Sequence, residues 1–494
     1  MGERHDHRNS QRDQRSSAVA DRRLRQGVSV GSTAPPPFDA WRACAIAADV
    51  AAASLADDDG LAARRRSRLD ALLAAAARDS PLYRRMLRGR DPSTLVLQQL
   101  PIMHKTTLMA RFEDWVGDPE LQLDALRSFI ADPARIGEPF LERYTVWESS
   151  GSSGEPGIFV QDAAAMATYD ALEALRRPAL RPLQRWLDPW GLEERSAFVG
   201  AVGGHFASVA SIERLRRLNP VLATRLHGIS LLLPMPEQVD RLNALAPTIF
   251  ATYPSAAVLL AAEHLAGRLR IEPREIWTGG ETFSPAMRRF VRAAFGCPVA
   301  DSYGASEFLS LASECRLGHL HLNSDWAILE SVDACGRAVP PGEAGATTLL
   351  TNLANHAQPL IRYDLGDRVR LHSEACACGS HLPRIDVQGR ADDTLHLRTA
   401  RGGTVSVVPL ALCTVLEDEA GLFDFQLVQR GPRELLLRTG MSAPEAGPVL
   451  QRARGMLGAF LAQQGAAGIR IRCHAGEPAQ VGRTGKIKRI AVAR

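Results

Sequence analysis

The chain has 494 residues, too many for one compact core, so two or three folding units are expected. Hydrophobic residues at 45% and charged residues at 23% exclude a fibre or a disordered chain. A net charge of +4, with acids and bases interspersed, excludes a stripe that binds nucleic acid.

Residues 1–37 are polar and Arg/Ser-rich, then Pro-rich, and read as an arm without a core of its own. The first residues lack the apolar stretch of a signal peptide, and no run in the chain is apolar for long enough to cross a bilayer. A cytoplasmic location without membrane contact is the expectation. Residues 41–88 are helical in period. Short apolar runs at 197–202, 248–252, 275–278 and 347–351 then alternate with helical stretches at 163–177, 207–218, 255–266 and 285–295. This alternation marks βαβ units and predicts an α/β fold, a large N-terminal domain over 38–388 with mostly parallel β-sheets flanked by helices. After Gly389 the pattern changes to short strands around a helix at 445–464, predicting a small C-terminal α+β domain over 389–494.

The eight cysteines are scattered over a chain without an export signal, which points to thiols or metal ligands and against a disulfide framework. Of 59 basic residues only Lys105, Lys486 and Lys488 are lysines. An ammonium is a compact point charge and a guanidinium a planar fork, so a lysine is hard to replace where one charge must reach one oxygen.

Five segments carry chemistry. Ser149-Ser150-Gly151-Ser152-Ser153-Gly154-Glu155-Pro156-Gly157 follows a strand-like stretch at 143–148 and can cradle phosphate oxygens with amides and hydroxyls; a surface loop is the plain alternative. Asp301-Ser302-Tyr303-Gly304-Ala305-Ser306-Glu307 offers an aromatic face for a purine and a carboxylate for magnesium. Arg362-Tyr363-Asp364-Leu365-Gly366-Asp367 presents an acid suited to ribose hydroxyls. Gly389-Arg390-Ala391-Asp392-Asp393 stands at the composition break, and Gly482-Arg483-Thr484-Gly485-Lys486-Ile487-Lys488-Arg489 delivers an ammonium to an anion.

In this order and spacing the segments resemble the adenylate-forming superfamily of acyl-CoA ligases, and most closely its phenylacetate-CoA ligase branch, over roughly residues 95–494. The resemblance implies that Ser150, Gly151, Ser152, Ser153 and Gly154 hold the ATP phosphates and that Gly279-Gly280-Glu281 forms the adenine-side turn. Tyr303, followed by Gly304, would stack on adenine, Glu307 would hold magnesium and Asp367 would bind the ribose. Arg390 would contact the nucleotide, Asp392 would be the hinge joining the two domains, and Lys486 would be the catalytic lysine. ATP, Mg2+ and coenzyme A follow as cofactor and co-substrates. One departure stands out: the family's phosphate loop carries a lysine just before the proline, and here the residue is Glu155.

Cys376-Ala377-Cys378, with Cys315 and His321 upstream, reads either as a Cys3His structural zinc site or as incidental loop thiols, with His319 the substitute fourth ligand. The resembled branch carries zinc on a comparable cysteine-rich insertion. Gly203-Gly204-His205, after an apolar run, and Thr252-Tyr253-Pro254 are candidates for the acyl pocket; for the glycines a helix-entry turn serves equally well.

The function expected is ATP-dependent activation of an aryl or arylacetyl acid to its adenylate, then transfer to a thiol, most simply that of coenzyme A. The alternatives are an amide- or ester-forming ligase that does not use CoA, and a degenerate nucleotide-binding relative. The sequence is silent on oligomeric state.

Overall fold

The structure, a computed structural model, describes residues 38–91, 94–149, 156–178, 180–182, 193–390, 393–399, 402–407, 409–480 and 487–493. The arm 1–37, Ser150, Gly151, Ser152, Ser153, Gly154, Glu155, Asp392 and Lys486 lie outside the described residues.

Two helices, Ala40–Ala53 and Asp58–Asp79, open the described chain, and β1 (Thr145–Glu148) and β2 (Ile158–Gln161) form an antiparallel hairpin. β1 ends just before Ser149 and β2 begins just after Gly157, so a strand stands between Gly157 and helix Ala163–Arg176. Asp162 caps that helix, accepting from the Ala165 N–H at 2.8 Å.

A nine-stranded sheet organises the body. Its first half is parallel, in the order β4 (Leu226–Ser230), β3 (Ser196–Gly200), β5 (Ile249–Thr252), β6 (Glu275–Gly279), β7 (Val299–Ala305). Helices Ala207–Leu218, Met235–Leu245, Pro254–Leu265 and Pro285–Phe295 make the crossovers, and Val199, Phe250, Ile276 and Val299 are buried beneath them. The expectation of a mostly parallel sheet holds for this half alone. Only Ser306 and Glu307 separate β7 from β8 (Phe308–Glu314), too few for a parallel crossover, so the chain reverses as a hairpin. Beyond β8 the sheet continues antiparallel through β9 (Leu320–Leu322). A separate three-stranded sheet of β10 (Ala327–Val332), β11 (Thr347–Asn352) and β12 (Tyr363–Asp364) intervenes in sequence. The chain then returns to the main sheet as β13 (Asp367–Leu371) and β14 (Arg384–Arg390), with β14 beside β9. Gly389 and Arg390 are thus the last residues of a strand in the main sheet.

Asp325 fastens the N-terminal helices to this body. Its buried carboxylate accepts from Arg176 at 2.6 and 2.8 Å and from Arg68 at 3.1 Å. Burial alone would raise its pKa; the two guanidiniums outweigh that and hold the carboxyl below its ordinary range.

Residues 395–492 build a second core. Hairpin β15 (Leu395–Arg398) and β16 (Thr404–Val407) precedes β17 (Gln426–Gly431), β18 (Glu434–Thr439), β19 (Arg470–Ala475) and β20 (Ile490–Val492), paired in the order β19-β18-β17-β20. Helix Ala443–Gln463 lays Leu450, Leu457 and Leu461 on that sheet against Leu427, Leu435 and Leu437. Among the described residues, this unit meets the body at several points. The Ile487 N–H donates to Glu281 Oε1 at 3.2 Å, Phe423 stacks on Phe290 with centroids 5.3 Å apart, Arg489 reaches Met287 Sδ at 3.7 Å, and Ser284 Oγ donates to Glu417. No described helix is long and apolar enough to cross a membrane.

Candidate active site

The site lies where the parallel half of the sheet gives way to the antiparallel half. Tyr303 is near the end of β7, and its hydroxyl donates to Asp367 Oδ2 at 2.7 Å; Arg390, at the end of β14, donates to Asp367 Oδ1 at 3.2 Å. Two donors from separate sequence segments thus share the carboxylate of a third. Burial, then the Asp367 charge, pushes the Tyr303 phenol well up, so it stays protonated and donates.

Glu307 stands at the tip of the β7–β8 turn. Its Oε1 accepts from the Tyr363 hydroxyl at 2.9 Å, and its backbone carbonyl accepts from Asn352 Nδ2 at 2.9 Å. The neighbouring Ser306 carbonyl accepts from Trp147 Nε1 at 2.8 Å, so β1 and β11 both fix the turn. Burial raises the Glu307 carboxyl above its ordinary range and Asp367 adds to it, against the lowering from Tyr363. A carboxylate desolvated in this way, with the Asp367 charge also acting against it, is a place where a cation lowers the free energy.

Gly304 has a packing reason of its own. A β-carbon there would stand 1.9 Å from the Leu309 carbonyl oxygen, so the β7–β8 hairpin closes only over glycine. At Gly366, φ is +68° and a β-carbon would stand 2.8 Å from Arg390 Nη2, so this glycine lets the guanidinium lie over the turn before Asp367.

Gly280 lies in the turn after β6. Glu281 is committed to protein contacts, accepting from the Ser255 N–H at 3.0 Å and from the Ile487 N–H. A backbone group adjoining position 486 is thereby held against the β6 turn.

A cleft of about 580 Å³ opens beside the β1–β2 hairpin, walled by Ile130, Ile158, Ala201, Gly204, Phe206 and Leu232, with Arg127 and Glu148 also on its lining. Gly204 is where the sequence placed it. His205 is not: its ring is 1% exposed, packs on Phe129 with centroids 5.3 Å apart and is no part of the cleft wall. Its backbone carbonyl works instead, accepting from the Glu148 N–H at 2.7 Å and tying the end of β1 to the entry of helix Ala207–Leu218. Tyr253 is buried at the start of helix Pro254–Leu265, behind the wall at Ala201, and burial pushes its phenol up to about 12.

Comparison with known proteins agrees with this arrangement. Residues 216–346 match the AMP-binding enzyme family. The chain is 27% identical to a phenylacetate-coenzyme A ligase of Thermus thermophilus over 359 residues, 68% of this chain and 72% of that one. It is 26% identical over 267 residues to a phenylacetate-coenzyme A ligase of Aromatoleum evansii, covering 51% and 56% of the two chains. The crystal structure of a 2-hydroxyisobutyryl-CoA ligase in the postadenylation state, complexed with 2-HIB-AMP, shares the fold with a TM-score of 0.63 at 21% identity, over 88% of this chain and 90% of that one. The chain thus resembles acyl-CoA ligases in a matched segment and in its fold.

A second cluster lies away from the cleft. The ligand atoms of Cys315, His321, Cys376 and Cys378 all fall within 4.8 Å of one another. His321 Nδ1–H donates to the Leu382 carbonyl at 2.6 Å, leaving Nε2 directed inward, 3.5 Å from Cys378 Sγ. Three sulfurs and one imidazole nitrogen with its tautomer set from behind are the donor set that zinc takes. His319 contributes its backbone carbonyl to the Cys315 N–H at 2.8 Å and is not in the cluster.

Sequence reading missed Tyr363, Asn352 and Trp147. Tyr363 lies inside a segment already singled out, four positions before Asp367, the residue expected to matter. The signal for Asn352 is a polar residue closing an apolar run, at the end of β11.

Proposed function

We propose that this chain joins a carboxylic acid to ATP as an acyl-adenylate and then transfers the acyl group to the thiol of coenzyme A. The observation that carries the reading is the convergence of Tyr303, Asp367, Arg390, Glu307 and Tyr363 beyond β7, since α/β sheets bind ligands outside the carboxyl ends of their parallel strands. The match to the AMP-binding enzyme family and the names of the ligases it resembles support it.

In the first step an oxygen of the acid attacks the α-phosphorus, the bond to the β-phosphate bridging oxygen breaks, and pyrophosphate leaves. In the second the sulfur attacks the acyl carbonyl, the C–O bond to AMP breaks, AMP departs with the electron pair, and the thiol proton passes to solvent. No side-chain nucleophile is required. Tyr303 gives adenine a face, Asp367 with Arg390 grips the ribose side, and the loop of Ser150, Gly151, Ser152, Ser153 and Gly154 meets the phosphates. Glu307 is the residue to hold magnesium, and the cost of its buried charge beside Asp367 fits that assignment. Magnesium supplies charge neutralisation on the phosphate oxygens. Lys486 reaches the carboxylate and α-phosphate, and the residues that follow Asp392 turn about it between the two steps, a reading supported by the separate core of residues 395–492. The Cys315, His321, Cys376 and Cys378 cluster holds a structural zinc.

The acid is aryl or arylacetyl. Apolar walls at Ile130, Ile158, Phe206 and Leu232 support that class, as does the name of the Thermus thermophilus relative. ATP–pyrophosphate exchange against aryl, arylacetyl, amino and fatty acids tests the whole reading. Exchange that depends on an aryl acid is expected; silence with every acid, while ATP still binds, would overturn it.

A further inference from the structure

The last two strands of the main sheet carry a row of arginines that the nucleotide site does not use. On β13 and β14, Val369 and Ile385 are buried in the core of the body, and Asp367 leaves β13 on that side to meet Tyr303. Side chains alternate along a strand, so Arg368 and Arg370 on β13 and Arg384 on β14 leave the sheet on the other side. Arg370 stands opposite Asp386, and the His372 N–H donates to the Arg384 carbonyl at 2.9 Å, which sets the three arginines along one two-stranded ribbon.

The row is half-buried and short of counter-charge. The Nε atoms of Arg368, Arg370 and Arg384 are each buried without a hydrogen-bond partner. Burial lowers the Arg368 guanidinium below its ordinary value with no carboxylate opposing it, and among the described residues no acid pairs with Arg368 or Arg370. Asp386 and Glu374, the acids alongside, face the His372 ring instead, at 2.7 and 3.7 Å. A guanidinium N–H kept from water without an acceptor is destabilising, so three of them in one row call for a bound anion. Phosphate suits the row because one guanidinium fork donates two parallel bonds to it.

The position of the row selects the phosphate. Asp367 holds the nucleotide side of the site on the core face, whereas the row begins one residue later on the opposite face and runs about 10 Å away from it to Arg370. A β-carbon at Gly389 would stand 3.4 Å from Pro409 Cβ, so the 395–492 unit reaches β14 near the Asp367 end of the row. A molecule lying on the row is therefore beside the seam between the two units, separated from bound AMP by the sheet itself. That is a place for the second substrate.

We propose that Arg368 and Arg370, flanked by Arg384, bind the phosphates at the nucleotide end of coenzyme A. This rests on the reading that the acyl group passes to CoA, and adds the subsite that receives it.

The test is calorimetric binding to the full chain of AMP, and of CoA and 3′-dephospho-CoA with AMP already bound. Wild type would be compared with Arg368→Gln, Arg370→Gln, Arg368→Lys and the double variant Arg368→Gln/Arg370→Gln. Each single Gln variant should weaken CoA about 10-fold and the double variant about 100-fold, with AMP unchanged because it lies on the other face. Arg368→Lys should retain part of the affinity, since it keeps the charge and loses the fork. A loss confined to CoA places the contact at the 3′-phosphate, and a loss shared by 3′-dephospho-CoA places it at the diphosphate; both uphold the proposal. CoA affinity unchanged in the double variant, or an equal loss for AMP, would overturn it. A wild-type chain that binds AMP and no CoA sinks the CoA reading itself; one that binds CoA as well without the two arginines sinks this inference alone.

Discussion

The Tyr363 hydroxyl donates to Glu307 Oε1 at 2.9 Å, joining residues 56 apart in sequence. This bond orients the carboxylate expected to face magnesium. Tyr363→Phe should reduce exchange about 10-fold and raise the magnesium concentration needed for half-maximal rate. The cost to stability should be only about 1 kcal/mol, the size of one hydrogen bond. A magnesium titration of the exchange rate checks this, and an unshifted curve would speak against Glu307 as the ligand.

Asp301 sets a pH dependence of stability. Burial pushes its carboxyl from the ordinary 3.8 to about 7, with Glu314 adding to the rise and the Thr278 hydrogen bond and Arg288 opposing it. The folded state therefore holds a proton that the unfolded chain has lost between these values, so stability falls as pH rises from about 4 to about 7 and is level above. Asp301→Asn should flatten this slope, removing a penalty of about 2–4 kcal/mol at pH 8. Denaturant midpoints at pH 5 and pH 8 provide the comparison; parallel shifts in both proteins would refute it.

Zinc should be present at about one per chain. Cys376→Ser or prolonged chelation should remove it and lower the melting temperature by several degrees, because the site staples the turn between β8 and β9 to the loop between β13 and β14. Metal analysis alongside thermal unfolding measures both. Full stability in a metal-free chain would reduce the cluster to incidental thiols.

Glu417 is buried, accepting from Ser284 and pairing with Arg489, whose guanidinium lies 4.1 Å from the centroid of the Phe425 ring. Glu417→Ala leaves that cation buried without its counter-charge and should cost about 3–5 kcal/mol. Ser284→Ala should cost about 1 kcal/mol and loosen the 395–492 unit from the body. Limited proteolysis between the two units, faster in Ser284→Ala than in wild type, would register that loosening.

Lys486→Ala should abolish adenylation and leave thioester formation from a supplied acyl-adenylate largely intact. Measuring the two half-reactions separately decides it, and equal loss of both would remove Lys486 from the first step.

Several local features were legible from residues alone. Helices at 207–218 and 285–295 match the observed Ala207–Leu218 and Pro285–Phe295 because their apolar spacing and bounding residues, such as the Ser284 cap, are local properties. Cys315, His321, Cys376 and Cys378 were legible as a group, with a metal site and incidental thiols both open, and the structure brings the four together. His205 was misread because a glycine-rich helix entry has the same sequence signature whether the following ring faces a ligand or a phenylalanine.

The sequence by itself determined the α/β alternation, the order of the five segments and the residue types able to bind a nucleotide, since each single element and segment is written within about a dozen neighbouring positions. Only the tertiary structure decided that Asp367 is shared by Tyr303 and Arg390, that Asp325 pins the N-terminal helices, and that the Lys105 stem lies against Gly157. Those relationships depend on strand register and on which way each side chain leaves a sheet, and both are settled by packing across the whole chain.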